Sequence, residues 1–474
     1  MRMAGPNPWS ILPFVVLLFT IAIAPALAPK WWSRHYPKVS FGLGAIALLY
    51  YFFFVHDNVR IGHVAHDYVS FIVLVGSLFI VSGGIHIAVK GEATPLANVA
   101  FLLSGAILAN VFGTTGAAML LIRPWIQMNQ YRITAYHIVF FIFIVANVGG
   151  CLTPVGDPPL FLGYLRGIPF WWLAKNCWQV WVTGVGLLLA MFYVVDKINF
   201  LRSPRDVREK ETASRAWRID GLSNLLIMAV ILGAVFVSHP IFLRESIMII
   251  AALVSYFTTR EFIYEANGFN FHPLQEVAIL FAGIFATMMP ALDWLNANAG
   301  TLLGAHPSPG IFFWGTGALS SVLDNAPTYL GFLVAFLGVA GNESVSQLLE
   351  QHSIHIVAIS IGAVFFGAAT YIGNIPNFMV KAIANHKNIR TPGFAGYILK
   401  FTLPFLLPML IFVWLLFFAG KKPNRDVAAP LAFAGKQHTC PNMISDSPLQ
   451  PEQHDVDDQH KYYQTNGNDD GLFH

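Results

Sequence analysis

Long apolar runs recur along most of the chain, and their length limits what the chain can fold into. A run of about 20 residues, rising about 1.5 Å per residue, crosses a hydrocarbon core of about 30 Å. Two sets of six runs are visible, and only 11% of the 474 residues are charged, against about 25% in soluble domains. We therefore predict an all-α polytopic membrane protein. The runs lie near 11–28, 39–55, 68–89, 101–122, 134–152 and 178–195, and near 222–237, 246–257, 274–289, 311–336, 354–369 and 401–418.

Basic residues are concentrated between the two sets of runs. Seven lysines and arginines lie between Lys197 and Arg218, and the positive-inside rule places such a segment in the cytoplasm. The net charge of +3 is too small to indicate a nucleic-acid partner. The sequence predicts a first transmembrane repeat over 1–196, a basic cytoplasmic linker over 197–220, a second transmembrane repeat over 221–420 and a disordered polar tail over 421–474.

One apolar run in each set ends in a stretch rich in Gly, Thr and Pro, at 149–159 and at 367–377. Inside a bilayer, non-helical backbone is tolerated only where protein or a watery cavity satisfies its N–H and C=O groups. Breaks of this kind, one in each half of a chain, are typical of secondary transporters built from two repeats. We therefore predict two broken transmembrane helices.

Small polar clusters also interrupt the fourth run of each set, at 110–116 and at 320–328. We interpret each cluster as the tip of a re-entrant hairpin, because two inverted copies require an odd number of full crossings per half. The two halves should then superpose about an axis lying in the membrane plane. Hairpin tips and broken helices should converge near the midplane, where half-helix N-termini attract anions and freed carbonyls bind cations.

Oxygen-bearing side chains in these four interruptions form the candidate site for an ion or a substrate. Hard cations prefer oxygen ligands, and no single interruption supplies enough of them to replace a hydration shell. For any one such residue the alternative role is interhelical hydrogen bonding, but four clusters at matched places favour a shared site. We expect one cavity to bring together Asn110, Thr114, Thr115, Thr153, Asp157, Ser321, Asp324, Asn325, Thr328, Thr370, Asn374 and Asn377.

Two aspartates within these clusters bear on the choice of substrate. A carboxylate beside the site repels an anion and attracts sodium or a proton, so Asp157 and Asp324 are the candidate sodium ligands. The alternative for Asp157 is that it caps a half-helix beginning at Pro158, a pattern that the sequence at Asp324 matches less well. We expect Asp324 to be the group at which proton and sodium exclude each other.

The interruptions resemble those of the ion-transporter superfamily, which includes divalent-anion/sodium symporters, citrate carriers and sodium/proton antiporters of the NhaD type. The resemblance is carried by Gly367-Ala368-Ala369-Thr370 with Pro376-Asn377, and by Thr153-Pro154 with Asp157-Pro158-Pro159. It implies inverted repeats, a homodimer and an elevator-like movement. Two features depart from the family pattern. The tip Gly113-Thr114-Thr115 lacks the usual Ser-Asn-Thr, and both aspartates stand where anion carriers tend to be neutral.

These observations together predict a secondary active transporter of the inner membrane, exchanging sodium or another cation for protons. The alternative is a sodium- or proton-coupled citrate or dicarboxylate carrier. An intramembrane enzyme is a remote alternative, because it needs a nucleophile and base or a metal-binding pair that the sequence does not display. We expect no cofactor apart from sodium as the coupling or transported ion, and as partners the lipid bilayer and a small ion or organic anion.

Overall fold

The computed structural model describes residues 7–90, 93–204, 216–237, 239–304, 307–341 and 345–420. Short 3₁₀ turns at Pro8–Ile11, Val148–Gly150 and Gly367–Ala369 and π-helical segments at Tyr51–Val55 and Ile398–Leu406 accompany its helices and strands. The helices and strands are α1 (Leu12–Leu27), α2 (Pro29–Tyr50), α3 (Asn58–Gly83), β1 (His86–Lys90), α4 (Pro95–Met128), α5 (Ala135–Ile144), α6 (Pro158–Leu165), α7 (Trp172–Arg202), β2 (Ala216–Asp220), α8 (Ser223–Ala234), α9 (Leu243–Thr258), α10 (Glu261–Ala266), α11 (His272–Leu303), α12 (Pro309–Ser320), α13 (Asn325–Ala340), α14 (Val345–Gln351), α15 (Ser353–Phe366), α16 (Ile375–His386), α17 (Phe394–Tyr397) and α18 (Leu407–Phe417).

Helices dominate the fold, and many of them have the length and composition of membrane spans. In the described part of the chain, seven helices are long and apolar enough to cross a bilayer, or up to eight if the bent pair α13 and α14 counts as one span. Many large apolar side chains on the outer helices are exposed, which suits a surface facing lipid. The prediction of a helical polytopic membrane protein is confirmed. The seven or eight candidate spans are fewer than the twelve apolar runs of the sequence.

Helix α4 is a hairpin that turns back at Gly113, whose φ of 74° and ψ of 156° are non-helical. Asn98 Nδ2 donates to Asn129 Oδ1 at 2.8 Å, and the rings of Phe101 and Trp125 lie 5.4 Å apart. In a straight helix, residues 98 and 129 would be about 45 Å apart. The arms 95–112 and 114–128 therefore lie side by side, with the tip at Gly113.

Helices α12 and α13 form a second hairpin, which turns at residues 321–324. The rings of Phe312 and Phe336, one on each arm, lie 5.3 Å apart in an edge-to-face arrangement. Aromatic pairs of this geometry pack well between antiparallel helices. Both polar clusters predicted as hairpin tips therefore lie at turns between paired helical arms.

The two hairpins enter from opposite ends of α7. The base of the first hairpin lies near the C-terminal end of α7, where Asn98 Nδ2 donates to Asp196 Oδ2 at 2.9 Å. The second hairpin is followed by Val345, which lies near Gly167, just before α7 begins; a Cβ on Gly167 would be 3.8 Å from the Val345 side chain. Opposite entry is what inverted repeats require, while the superposition of the two halves stays a prediction.

The two broken helices follow the hairpins in the chain. Helices α5 and α6 are separated by residues 145–157, and α15 and α16 by residues 367–374. Thr370, in the second break, has the extended backbone angles φ −139° and ψ 169°. No continuous helix passes through Thr153 or Thr370, so the predicted breaks are present at both Gly/Thr/Pro stretches.

A small antiparallel ladder of two strands accompanies the helices of this all-α fold. Strand β1 pairs with β2 in the register His86 to Asp220 and Lys90 to Ala216. The apolar run predicted over 68–89 is shorter than expected as a helix, because α3 ends at Gly83 and His86–Lys90 forms β1. The ladder attaches the segment after α3 to the end of the predicted linker. Residues 205–215 of that linker and the predicted tail 421–474 lie outside the described residues.

Candidate functional site

Asp157 lies where the two halves of the chain meet. It stands between the first break and α6, and its side chain is completely buried. Thr114 Oγ1 donates to Asp157 Oδ1 at 2.8 Å, and Asn325 Nδ2 donates to Asp157 Oδ2 at 2.6 Å. Asn374 Nδ2 donates to Oδ1 at 3.3 Å. The donors come from both hairpin tips and from the second break, so this one carboxylate holds four interruptions of the helical pattern together.

The alternative that Asp157 caps α6 is wrong. Asp157 occupies the position before the helix, yet its side chain makes no capping hydrogen bond because both oxygens face the hairpin tips. Donors to an ionised carboxylate form stronger hydrogen bonds than donors to neutral groups, and a buried charge requires such partners. The position of Asp157 is therefore determined by contacts distant in sequence rather than by the local helix.

Asp324 caps α13, although the sequence favoured a capping role for Asp157 more than for Asp324. Its Oδ1 accepts from the backbone N–H of Ala326 at 3.0 Å, at the first turn of α13. The side chain is only partly buried and faces a cavity. Asn325, the next residue, donates to Asp157, so the two aspartates lie near each other across one hairpin tip.

An open cavity lies between the hairpin tips and the pair α3 and α11, and its empty space, open solvent included, is about 450 Å³. A neighbouring open cavity, with about 380 Å³ of such space, shares part of its wall and adds Thr114. The walls contributed by α3 and α11 are apolar and include Phe71, Phe79 and Phe281. Of the described residues that line the larger cavity, Asp324 carries the only charged side chain. Its polar lining residues are Thr115, Asp324, Asn325 and Asn374.

Several helix N-termini also meet at the cavity. The second arm of α4 begins at Thr114, α13 begins at Asn325, α6 at Pro158 and α16 at Ile375, and each of these residues lines one of the two cavities. Helix N-termini carry partial positive charge and unpaired N–H groups, which attract anions. The lining therefore combines this positive potential with the carboxylate of Asp324.

The remaining predicted site residues attach the breaks to the hairpins rather than face the cavity. Backbone groups freed by a break need partners when no water reaches them, and these side chains provide them. Asn110 Nδ2 donates to Gly149 O at 2.7 Å and Thr153 Oγ1 donates to Asn110 O at 2.6 Å. Equivalent clamps in the second half are Thr370 Oγ1 to Ser321 O at 2.6 Å and Asn377 Nδ2 to Gly367 O at 2.8 Å.

Of the twelve residues expected to share one cavity, five line at least one of the two cavities and seven line neither. Thr115, Asp324, Asn325 and Asn374 line the larger cavity, while Thr114 lines the smaller one. Thr328 Oγ1 donates to the backbone of Asp324 at 3.0 Å. The residues that line neither cavity are Asn110, Thr153, Asp157, Ser321, Thr328, Thr370 and Asn377.

Asn147 is a functional candidate that was not predicted from the sequence. It is completely buried, and its Nδ2 donates to Asn377 Oδ1 at 2.7 Å. Its Oδ1 accepts from Asn374 Nδ2 at 3.1 Å, so it links the first break to the second and orients a donor of Asp157. The sequence feature that could have identified Asn147 is a polar amide side chain inside the apolar run 134–152, two residues before Gly149.

The side chains that contact Asp157 in the structure are hydrogen-bond donors rather than oxygen ligands arranged for a cation. Both of its oxygens accept from N–H or O–H donors, whereas sodium needs oxygen lone pairs around it. Within the described ranges, no group of three or more His, Cys, Asp or Glu residues is placed to hold a metal ion. A cation entering the cavity would meet Asp324 first, since that carboxylate lines the wall.

Two opposed hairpins, two broken helices and a mainly apolar cavity with a few polar residues at the hairpin tips define a multi-pass membrane protein of the transporter class. Residues 4–418 match the model of a family described as "Putative citrate transport". The chain belongs to this family, which confirms the resemblance drawn from the breaks. A relative from Mycobacterium leprae (strain TN), named "46 kDa membrane protein", is 25% identical over 324 residues, covering 64% of this chain and 73% of the relative.

Proposed function

We propose that the protein is a secondary active transporter that exchanges sodium, or a cation like it, for protons. The observation that carries the proposal is the pair of aspartates: Asp324 on the wall of the cavity and Asp157 buried behind it. The described residues lining the larger cavity include no lysine or arginine that would neutralise a multiply charged anion. A carboxylate in a low-dielectric cavity favours a cation or a proton there.

Competition for Asp324 gives the exchange a physical basis. A carboxylate that binds either a proton or a cation cannot hold both, so the arrival of one releases the other. Asn325 adjoins Asp324 and donates to Asp157, which accepts from both hairpin tips. Occupancy of the cavity is thereby linked to the contacts that join the two halves.

The test is cation-dependent proton movement in liposomes containing purified protein. Replacing Asp324 by Asn keeps the cap acceptor and the size of the side chain but removes the titrating charge. We expect exchange to fall to the level of empty liposomes, with protein yield unchanged. Asp220→Asn is the matched control because Asp220 lies on β2 and is not among the residues that line either cavity, so it should leave exchange intact. Persistence of full exchange in Asp324→Asn contradicts the proposal.

Citrate or dicarboxylate transport is the second candidate, and the helix N-termini at the cavity favour it. The description of the family supports it as well. Uptake of labelled citrate by the same liposomes distinguishes the two functions. If an anion is the substrate, Asp324→Asn should preserve or raise uptake, because it removes a repelling charge.

A further inference from the structure

Helices α3 and α11 run antiparallel and show which side of the molecule the cavity faces. Arg60 Nη2 lies 2.8 Å from Asp293 Oδ1 at one end of the pair, and the rings of Phe79 and Phe269 lie 5.2 Å apart at the other. The Phe79 end leads into β1, which pairs with β2 at the end of the linker. We call this end the linker side and the Arg60 end the opposite side.

The cavity lies in the linker-side half of this pair. Its lining residues on α3 fall between Phe71 and Phe79, and those on α11 and just before fall between Pro273 and Phe281. Asp67 lies one turn beyond Phe71, about 6 Å further toward the opposite side. The residues between the cavity and the opposite side therefore determine whether an ion can pass from one to the other.

The end of α6 crosses this region and presents Arg166 to α3. Arg166 Nη2 lies 3.3 Å from Asp67 Oδ2, and both side chains are about one-fifth exposed. A glycine-terminated cap fixes the position of Arg166: Ile168 N donates to Gly163 O at 3.1 Å and Gly167 N to Tyr164 O at 3.0 Å. Gly167 has φ +94°, a conformation that favours glycine. The ion pair therefore joins the C-terminal end of α6, which this turn holds in place, to α3.

Two weaker contacts accompany the ion pair. Tyr164 Oη donates to Val235 O at 2.8 Å, and the guanidinium of Arg244 lies 5.8 Å from the centre of the Phe161 ring. Both again join α6 to the helices around α3. Of these three contacts, the Arg166–Asp67 pair alone joins opposite charges.

We infer that the Arg166–Asp67 ion pair is a latch that closes the cavity on the side opposite the linker. The inference rests on the proposed transport function, because a transported ion must at some stage reach the opposite side. Opening there requires the end of α6 to separate from α3, which breaks the ion pair. With side chains about one-fifth exposed and an Nη2–Oδ2 distance of 3.3 Å, this pair is weaker than a fully buried ion pair with a short contact.

The test measures access to the cavity from the opposite side. Val75 lines the cavity on α3, so Val75→Cys in a background with Cys151, Cys177 and Cys440 replaced is a reporter for a membrane-impermeant maleimide. Labelling is compared in right-side-out and inside-out vesicles. Asp67→Asn, Arg166→Gln and the double variant should each raise opposite-side labelling by the same factor, about two- to fivefold, because all three remove one interaction.

Controls separate the latch from misfolding and from the proposed function. Arg218→Gln removes the 3.0 Å ion pair to Asp220 on β2 and should leave labelling unchanged, while Arg166→Lys keeps the charge and should stay near the parent. Unchanged labelling in the single variants, or additive effects in the double variant, overturns the latch. Raised labelling in a protein that exchanges neither cations nor citrate supports the latch and contradicts the transport function.

Discussion

Asp157 accepts hydrogen bonds from residues far apart in the chain, including one 168 positions away. A buried carboxylate with this many donors is stable only while they surround it, since an unpaired buried charge costs far more than any single hydrogen bond contributes. The charge of Asp157 and its role as an acceptor can be separated by substitution.

We predict that Asp157→Asn folds but loses cation-dependent proton exchange. The Asn325 amide can rotate to present its oxygen to the new amide, so stability should change by less than about 1 kcal/mol. Asp157→Ala instead leaves Thr114 Oγ1 and Asn325 Nδ2 without their acceptor and should cost about 1–3 kcal/mol or more. Unfolding of the solubilised protein and liposome exchange are the measurements. Exchange at the parent rate in Asp157→Asn would show that this charge is not needed.

The sequence could identify the residues around Asp157 but not assign their roles. Thr114, Asn325 and Asn374 stand out because polar side chains are rare inside apolar runs. Which aspartate accepts from a backbone N–H and which accepts from distant side chains depends on tertiary contacts. The spacing of Asp157 before two prolines therefore suggested a cap that the structure places at Asp324 instead.

Among the elements, the first hairpin depends most on a single backbone conformation. Gly113 has φ +74°, and a Cβ there would lie 3.2 Å from Val155 O. We predict that Gly113→Ala lowers stability by about 1–3 kcal/mol, because a side chain strains both the turn and its contact with the break.

The matched control for this hairpin is Gly62→Ala on α3. No heavy atom lies within 4 Å of a Cβ at Gly62, so alanine should be neutral or stabilise the helix by up to about 1 kcal/mol. Thermal unfolding of both variants checks the opposite signs. Equal effects at the two positions would argue against a strained tip.

Hairpins and breaks were predictable at the element level, whereas the β1 and β2 ladder was not. Gly, Thr and Pro interrupt an apolar helix by local chemistry, which a single sequence displays. Strand pairing between His86 and Asp220 brings together segments more than a hundred residues apart, and five-residue strands carry little periodicity of their own.

Across the whole molecule, a buried ion pair attaches the base of the first hairpin to α7. Arg132 contacts Asp196, which is completely buried and also accepts from Tyr136 Oη at 2.7 Å and Asn98 Nδ2 at 2.9 Å. His137 Nε2 lies 3.2 Å from the same carboxylate. Two hairpins that enter from opposite sides need such anchors at their bases if the tips are to meet at Asp157.

We predict that Asp196→Asn destabilises the protein by about 3–5 kcal/mol, because it leaves the Arg132 charge buried without its counter-charge. Asp220→Asn, which removes the ion-pair partner of the exposed Arg218, should cost less than about 1 kcal/mol. Unfolding midpoints in detergent compare the two. Similar small losses in both variants would mean that water reaches Arg132.

The hydrogen bonds of Asp157 also have a consequence for biosynthesis. Two of its donors, Asn325 and Asn374, belong to the second half of the chain and are translated more than 160 residues after it. A nascent first half in the membrane therefore holds this carboxylate without most of its partners. The site cannot be completed by the first half alone, and it is assembled only after the second break, which contains Asn374, has entered the membrane.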